Sequence, residues 1–223
     1  MAGYIIRKYK DSDYEAVRSM FADGMLEHAP ATRGFLLKRP QIHIFLLGVF
    51  LFFFAIVKSY LLAITALFIS VVAGRLHLDS EFRGYVQQCY KEDLLDIQKS
   101  YMEREGACFW VAESDGEIVG MVAAQPPQIP DGEHTLELRR MSVGKNCRGQ
   151  GIGKALCRAV IGFAQEHGCT AVILDTSVVQ YAAHKLYESV GFQKVNNHMY
   201  PSFFGKVTNF GILRFRYDIP SLT

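Results

Sequence analysis

The stretch from Arg148 to Gly153 reads Arg-Gly-Gln-Gly-Ile-Gly and stands between a predicted strand and a predicted helix. Glycines in such a turn let backbone N–H groups approach an anion closely, and the N-terminus of the following helix adds a favourable dipole. A pyrophosphate therefore fits this turn. The spacing matches neither a Walker loop nor a Rossmann fingerprint. Taken alone, the turn could equally be a plain structural turn.

Hydrophobic periodicity on both sides of this turn predicts a mixed α/β fold of the α+β type. Residues 151–166 and 180–190 carry apolar side chains at helical spacing, and a glycine closely follows each segment. Residues 81–105 show the same spacing, and Asp11 to Asp13 offer N-caps for a helix through Phe21. Seven strands are predicted at residues 4–9, 108–112, 118–124, 135–143, 171–176, 192–195 and 212–217, with a hairpin turn at Ser114-Asp115-Gly116.

A long apolar block from Ile44 to Gly74 contains Lys58 as its only charged residue. Such a block predicts a membrane segment, although a buried helical hairpin in a soluble protein has the same composition. Its two arms of about 15 residues suit either tilted spans or a hairpin that dips into the bilayer, with Lys58 at the turn. Basic residues flank both ends and favour a cytosolic location for both: Arg33, Lys38, Arg39, Arg75 and His77.

A second motif lies downstream of the glycine turn, where residues 180–192 read QYAAHKLYESVGF. Together with Val143 and the turn, it resembles the GNAT (Gcn5-related N-acetyltransferase) superfamily. That family shows a valine, a short spacer and [QR]-x-x-G-x-[GA], followed later by N-x-x-A-x-x-[LF]-Y-x-x-x-GF. The resemblance also covers the first strand and helix. It implies a GNAT fold, in which helices flank a mixed central sheet, and acetyl-CoA-dependent N-acetyltransferase activity.

The position of the apolar block further resembles the camello-like, membrane-bound branch of that family, as do the runs at residues 6–13 and 108–114. The expected division of the chain is a first strand and helix at 1–34, a membrane hairpin at 35–76 and the rest of the GNAT domain at 77–223. The hairpin thus interrupts the fold between its first two helices. One domain cannot straddle a bilayer, so an even number of crossings or a re-entrant hairpin is expected.

The resemblance also assigns the cofactor-binding residues. The strand at 138–143 is expected to splay from its neighbour, so that its backbone pairs with the pantetheine arm and one N–H faces the thioester oxygen. The turn backbone would hold the pyrophosphate, with added charge from the Arg148 side chain. Gln180 stands where the family usually has an asparagine. The complete expected set is Met141, Val143, Arg148, Gly149, Gln150, Gly151, Gly153, Lys154, Gln180 and Ala183.

Two residues are expected to carry the proton transfers. Tyr187 aligns with the tyrosine that protonates the departing CoA thiolate, and its alternative interpretation is a core aromatic residue. Glu137 lies where some family members carry a catalytic base, and its alternative is a salt-bridged strand residue beside Arg139. Further alternatives for the base are His134 and Glu133, and Cys147 could in principle form an acetyl-cysteine intermediate.

Composition narrows the expected partners. The formal net charge is +2 with no basic run, so no nucleic-acid partner is expected. Five cysteines without CxxC spacing and seven scattered histidines predict neither a disulfide framework nor a metal site. The expected partners are acetyl-CoA, an amine and a lipid bilayer. The short arms favour the thin endoplasmic reticulum membrane, with the ER–Golgi intermediate or the Golgi membrane as alternatives. The amine remains open between a small amphipathic amine, such as a cysteine S-conjugate, and a protein lysine.

Overall fold

Seven β-strands form one mixed sheet in a computed structural model that describes residues 3–127, 134–199, 205, 208 and 210–220. The strands are β1 Tyr4–Lys8, β2 Cys108–Ser114, β3 Glu117–Gln125, β4 Thr135–Val143, β5 Ala171–Ser177, β6 Gln193–Met199 and β7 Gly211–Asp218. Their order in the sheet is β1-β2-β3-β4-β5-β7-β6. Neighbours are antiparallel, except that β4 runs parallel to β5. The α+β fold class and all seven predicted strands are confirmed.

Helices lie between the strands of this sheet along the chain. They are α1 Tyr14–Leu26, α2 Ala29–Leu37, α3 Pro40–Val57, α4 Tyr60–Lys91, α5 Ile152–Glu166 and α6 Tyr181–Val190. The β2–β3 hairpin turns at Asp115 and Gly116, whose φ angles of 52° and 80° suit a two-residue turn between twisted strands. The predicted hairpin turn is therefore present.

Two hydrophobic cores cover the two faces of the sheet. On one face, α5 and α6 pack through Leu156, Val160 and Tyr187 onto Leu174 and Phe215. On the other face, α1 and the end of α4 pack through residues such as Phe21 and Val86 onto β2 and β3. This second core draws no buried residue from β4, β5 or β7.

The apolar block folds as a helical hairpin built from α3 and the first part of α4. Lys58 lies between the two helices with φ 52° and ends α3, as the turn prediction requires. None of the 18 residues of α3 is buried, and both helices are long and apolar enough to cross a bilayer. Since β1 precedes this hairpin and pairs with β2 after it, both of its ends connect to one folded sheet.

The prediction of a separate helix at residues 81–105 is wrong. The second arm of the hairpin continues without interruption into that segment, so α4 is a single helix of 32 residues. Gly74 does not end it, because an isolated glycine only weakens a helix. The helix stops at Lys91, and a separate π-helical turn follows at Gln98–Met102. Sequence periodicity also missed α2, which contains Phe35 to Leu37.

Candidate functional site

A wedge-shaped gap between β4 and β5 lies at the centre of the candidate site. The parallel pairing covers only Thr135 to Glu137 on β4, and the last of these pairs is Glu137 with Ile173. Beyond this point β5 continues beside β7, and among the described residues no strand pairs with the second half of β4 on the β5 side. The splayed strand expected from the sequence is therefore present. Backbone groups on that edge can bind a ligand, although the Val143 carbonyl already accepts a hydrogen bond from the Arg148 side chain.

A β-bulge bends β4 just beyond the last β5 pair. Ala123 faces Arg139 and Met121 faces Ser142, so Arg140 and Met141 together face one residue of β3. Arg140 has φ 55°, a left-handed conformation that is costly for a residue with a side chain. The bulge places Met141 and Val143 half-buried along the gap, where the sequence predicted the cofactor arm.

The glycine turn connects β4 to α5 through a short 3-10 helix at Lys145–Cys147. Gly149 and Gly151 have φ angles of 79° and 84°, which only glycine adopts at little cost. Gly151 is the N-cap of α5, and Gln150 and Lys154 are exposed beside it. The turn therefore presents backbone amides at a helix N-terminus, which fits a pyrophosphate.

Gly153 has a packing role that the motif did not reveal. A Cβ atom at this position would lie 2.9 Å from the Leu186 side chain of α6. Its missing side chain lets α5 and α6 approach each other. Its expected contact with the cofactor stays a prediction of the family pattern.

The Arg148 side chain is held at the mouth of a cleft of about 620 Å³ between α1 and the end of β4. Its Nε donates to the Val143 carbonyl at 3.0 Å, and its guanidinium lies 2.7 Å from the Glu27 carboxylate. Lys145 approaches Glu27 at 3.6 Å. The Glu27 carboxylate thus pairs with two of the cations near the turn, Arg148 and Lys145, and Lys154 lies exposed at the start of α5. Sequence reasoning missed Glu27, because no local motif links α1 to the turn.

Tyr187 lies on α6 in the core that also contains Leu138 and Met141 of β4. Its side chain is only 5% exposed and packs against Phe192 and Phe215, with ring centroids 5.8 and 6.0 Å away. Burial, with a smaller contribution from the Cys157 thiol, raises the pKa of Tyr187 well above its usual range. The phenol therefore stays protonated at neutral pH but is a weaker acid than a free tyrosine, and its role as the proton donor to the thiolate stays a prediction.

Gln180 and Ala183 stand at the start of the same helix. The Gln180 side-chain oxygen accepts hydrogen bonds from the Thr176 hydroxyl at 2.6 Å and from the Ser177 backbone N–H at 2.9 Å. These bonds fix the end of β5 to the start of α6, which leaves the amide NH₂ as the group that could reach a cofactor. Ala183 is half-buried against the core.

A charged face lies on the side of β4, β5 and β7 opposite to α5 and α6. We define it by Glu137, Arg139, Asp175 and Arg214. Side chains alternate along a strand, and directly paired residues point to the same side. Glu137 pairs with Ile173, and Asp175 pairs with Arg214. The four side chains therefore share one face beside the gap.

The contacts on the charged face are unequal. Asp175 and Arg214 form a bidentate pair with distances of 2.9 and 2.8 Å. Glu137 and Arg139 approach only to 3.9 Å, although both side chains are about three-quarters buried. Burial raises the pKa of Glu137, and the positive charge of Arg139 opposes that shift. A carboxylate with a raised pKa is a better proton acceptor near neutral pH.

The alternative residues for the base are placed less favourably or lie outside the described residues. His134 is exposed just before β4 with φ 62°, and Glu133 lies outside the described residues. Cys147 is half-buried in the 3-10 helix before the turn. Within the described ranges, no group of three or more His, Cys, Asp or Glu side chains could hold a metal ion.

Comparisons with known proteins agree with this geometry. Residues 75–192 match the model of the Acetyltransferase (GNAT) family. The chain is 43% identical over 221 residues to a probable N-acetyltransferase camello of Xenopus laevis, covering 99% of this chain and 100% of that protein. It is 40% identical over 222 residues to N-acetyltransferase 8F1 of Mus musculus, with the same coverage. A GNAT acetyltransferase of Staphylococcus aureus shares the fold, with a TM-score of 0.57, 18% identity and coverage of 98% and 100% of the two chains.

Proposed function

This chain belongs to the GNAT acetyltransferase family, and we propose that it acetylates the α-amine of a cysteine S-conjugate or a similar small amphipathic amine at a membrane. Acetyl-CoA-dependent N-acetylation follows from the family and from its curated relatives. The identity of the amine, the bilayer and the roles of individual residues belong to our proposal.

The observation that carries the proposal is the pairing of Glu137 with Arg139 on the charged face. An amino-acid derivative presents an ammonium and a carboxylate on one carbon atom. Glu137 can accept the ammonium, while the guanidinium of Arg139 can bind the carboxylate. Arg139 is suited to this role because its contact with Glu137 is long. The neighbouring Arg140 is not, since Asp93 already occupies it with two hydrogen bonds.

The proton transfers follow from these positions. Glu137 takes one proton from the ammonium, and the freed amine nitrogen forms a bond to the acetyl carbon as the carbon–sulfur bond breaks. Tyr187 gives its proton to the sulfur and regains one from the nitrogen as the amide forms. The backbone N–H groups of the β4 bulge face the developing negative charge on the thioester oxygen. Acetyl-CoA supplies the acetyl group, and the protein residues only move protons and bind.

The exposed hairpin of α3 and α4 supports a membrane location. A helix of 18 residues is about 27 Å long, close to the roughly 27 Å hydrocarbon thickness of the endoplasmic reticulum bilayer. Pairing of β1 with β2 requires both ends of the hairpin on one side of a bilayer. We therefore propose an endoplasmic reticulum protein with a cytosolic catalytic domain. Protease protection of microsomes carrying terminal tags tests this, and termini on opposite sides would refute it.

A variant of Arg139 tests the acceptor. Detergent-solubilised protein is assayed for CoA release with S-benzylcysteine, with S-benzylcysteamine, which lacks the carboxylate, and with a lysine peptide. We expect S-benzylcysteine to be the preferred substrate, and Arg139→Met to raise its KM about tenfold or more, the cost of a lost charged hydrogen bond. The same variant should leave the KM of S-benzylcysteamine unchanged. Arg158→Met, at an exposed position on α5, is the control.

Two outcomes of this assay contradict the proposal. A preference for the lysine peptide would favour the second candidate, a protein lysine N-acetyltransferase that acts on secretory-pathway proteins or histones. An equal effect of Arg139→Met on both small amines would mean that Arg139 does not bind the carboxylate.

A further inference from the structure

We propose that the ion pair between Arg140 and Asp93 is a positioning device that holds β4 bent away from β5 and so keeps the acetyl-CoA site open. The inference rests on the proposed use of the β4 backbone as the binding edge for the cofactor arm. It does not depend on which amine is acetylated.

The pair is buried and geometrically complete. The Arg140 Nε donates to Asp93 at 2.9 Å, and a terminal nitrogen donates to the second carboxylate oxygen at 2.5 Å. The side chains are only 4% and 13% exposed. Burial raises the pKa of Asp93, but hydrogen bonds from Arg140 and Tyr101 and the charge of Arg140 outweigh it, so the net direction is downward. Asp93 therefore remains ionised near neutral pH.

Further contacts fix the guanidinium in one orientation. Its other terminal nitrogen lies 3.2 Å from the Cys89 sulfur and 3.4 Å from the Tyr85 hydroxyl, and its Cζ atom lies 5.0 Å from the centroid of the Phe21 ring. The Tyr101 hydroxyl donates to the Asp93 carboxylate. Helices α1 and α4 and the π-helical turn thus enclose the side chain.

These side-chain contacts hold the backbone of Arg140 in an unfavourable conformation. A φ of 55° at a residue with a side chain costs on the order of 1–2 kcal/mol. Such a conformation persists only where surrounding contacts impose it. Arg140 lies three positions after Glu137, the last β4 residue that pairs with β5. A guanidinium anchored on the α4 side draws this part of β4 away from the plane in which β5 could continue to pair.

Loss of the contact between Arg140 and Asp93 should therefore change the position of β4 in addition to lowering the stability of the fold. Without the fork geometry of arginine, the bulge can relax and β4 can move toward β5. The cofactor edge then closes or becomes disordered. Because a hydrogen bond needs its donor and acceptor within roughly 2.7–3.2 Å, a small relaxation of β4 is sufficient to lose the backbone contacts to the cofactor arm.

The experiment compares two arginine-to-lysine variants that each break a bidentate buried pair. Arg140→Lys keeps the charge but loses the fork. Arg7→Lys is the matched control, because Arg7 binds the buried Asp13 with two hydrogen bonds of 2.6 and 2.8 Å on β1, away from the gap. Acetyl-CoA affinity is measured by calorimetry on solubilised protein without an amine, at a temperature where both variants are folded. Thermal unfolding is recorded in parallel.

We expect Arg140→Lys to weaken acetyl-CoA binding at least tenfold and Arg7→Lys to leave it within twofold, with comparable losses of Tm. Equal affinity of Arg140→Lys and the wild type, or an equal loss in Arg7→Lys, would overturn the inference. If Arg140→Lys does not fold, Tyr101→Phe removes one hydrogen bond to Asp93 without stranding a charge. That variant should bind acetyl-CoA a few-fold more weakly, and unchanged binding would equally overturn the inference.

The outcome is separate from that of the proposed function. If the wild-type protein does not acetylate S-benzylcysteine, the proposed acceptor is refuted. The acetyl-CoA affinities of the variants can still be compared in that case. A wild-type protein that acetylates it, together with an Arg140→Lys variant of normal affinity, would refute only the positioning role.

Discussion

The two sides of β4 differ in whether backbone groups or side chains form the candidate site. The side where we propose acetyl-CoA binding consists mainly of backbone: the splayed edge, the bulge and the turn with Gly149 and Gly151 in left-handed conformations. The side where we propose acceptor binding consists of side chains that β4, β5 and β7 bring together on the charged face. Much of the cofactor side is fixed by a few adjacent residues and by the single buried anchor of Arg140 on Asp93, whereas the charged face depends on strands that are distant in sequence. Substitutions outside the turn and this anchor should therefore affect the cofactor side less than the acceptor side.

The largest expected effect is on the cofactor side. Gly151→Val places a β-branched residue at φ 84° on the N-cap of α5, and should abolish detectable acetyl-CoA binding by displacing the turn amides. Gly168→Val is the matched control, since Gly168 has φ 66° at the other end of α5 with open space around it. Both variants should lose about 1–2 kcal/mol of stability. Calorimetry with acetyl-CoA separates them, and retained binding in Gly151→Val would refute the anion site.

In the proposed mechanism Tyr187 acts on both the cofactor and the acceptor, and its substitution should give the next largest effect. Tyr187→Phe should lower kcat about 1000-fold, within the usual range for loss of a general acid, while the acetyl-CoA affinity stays unchanged. Steady-state kinetics and a binding measurement check both parts. Tyr181→Phe, at an exposed position on the same helix, is the control. Unchanged turnover in Tyr187→Phe would leave Tyr187 as a core aromatic residue only.

Glu137 affects only the acceptor side and should give the smallest of the three effects. The raised pKa of Glu137 means that kcat/KM for the amine falls as pH drops through that pKa, because the protonated carboxyl cannot accept a proton. Glu137→Gln should lower kcat about 100-fold and remove this acidic limb, while the contribution of the amine's own ionisation stays in both profiles. A pH–rate profile measures this, and a limb of equal size in the variant would exclude Glu137 as the base.

Short-range patterns explain what the sequence could predict. The strands, α5 and α6 follow from periodicity within each segment, and the turn at Arg148–Gly153 follows from glycines that are adjacent in the chain. The prediction failed at residues 81–105, because two helical segments of different polarity share the same period and nothing between them ends a helix. That segment belongs to α4, which continues from the hairpin to Lys91.

The features that the sequence could not predict depend on contacts between residues that are distant in the chain. Nothing near Arg148 indicates that Glu27 on α1 would bind it. Arg139 and Arg140 are adjacent and chemically identical, and an alternating strand would send them to opposite faces. Only the bulge and the contact with Asp93 show that Arg140 is anchored, while Arg139 lies on the charged face. Such differences depend on residues that are distant in sequence, which a single sequence does not locate.

The pairing of β1 with β2 across the hairpin also determines the order in which the protein can be made. β1 is synthesised before the hairpin, but Tyr4 can pair with Ser114 only after β2 has been synthesised. The apolar arms emerge in between, and domains are completed during synthesis from the N-terminus onward. At the proposed membrane, insertion of the hairpin would therefore precede completion of the sheet. A nascent chain whose hairpin stayed outside the bilayer would expose both apolar arms and an unpaired β1 at the same time, and exposed apolar segments and unpaired strand edges favour aggregation.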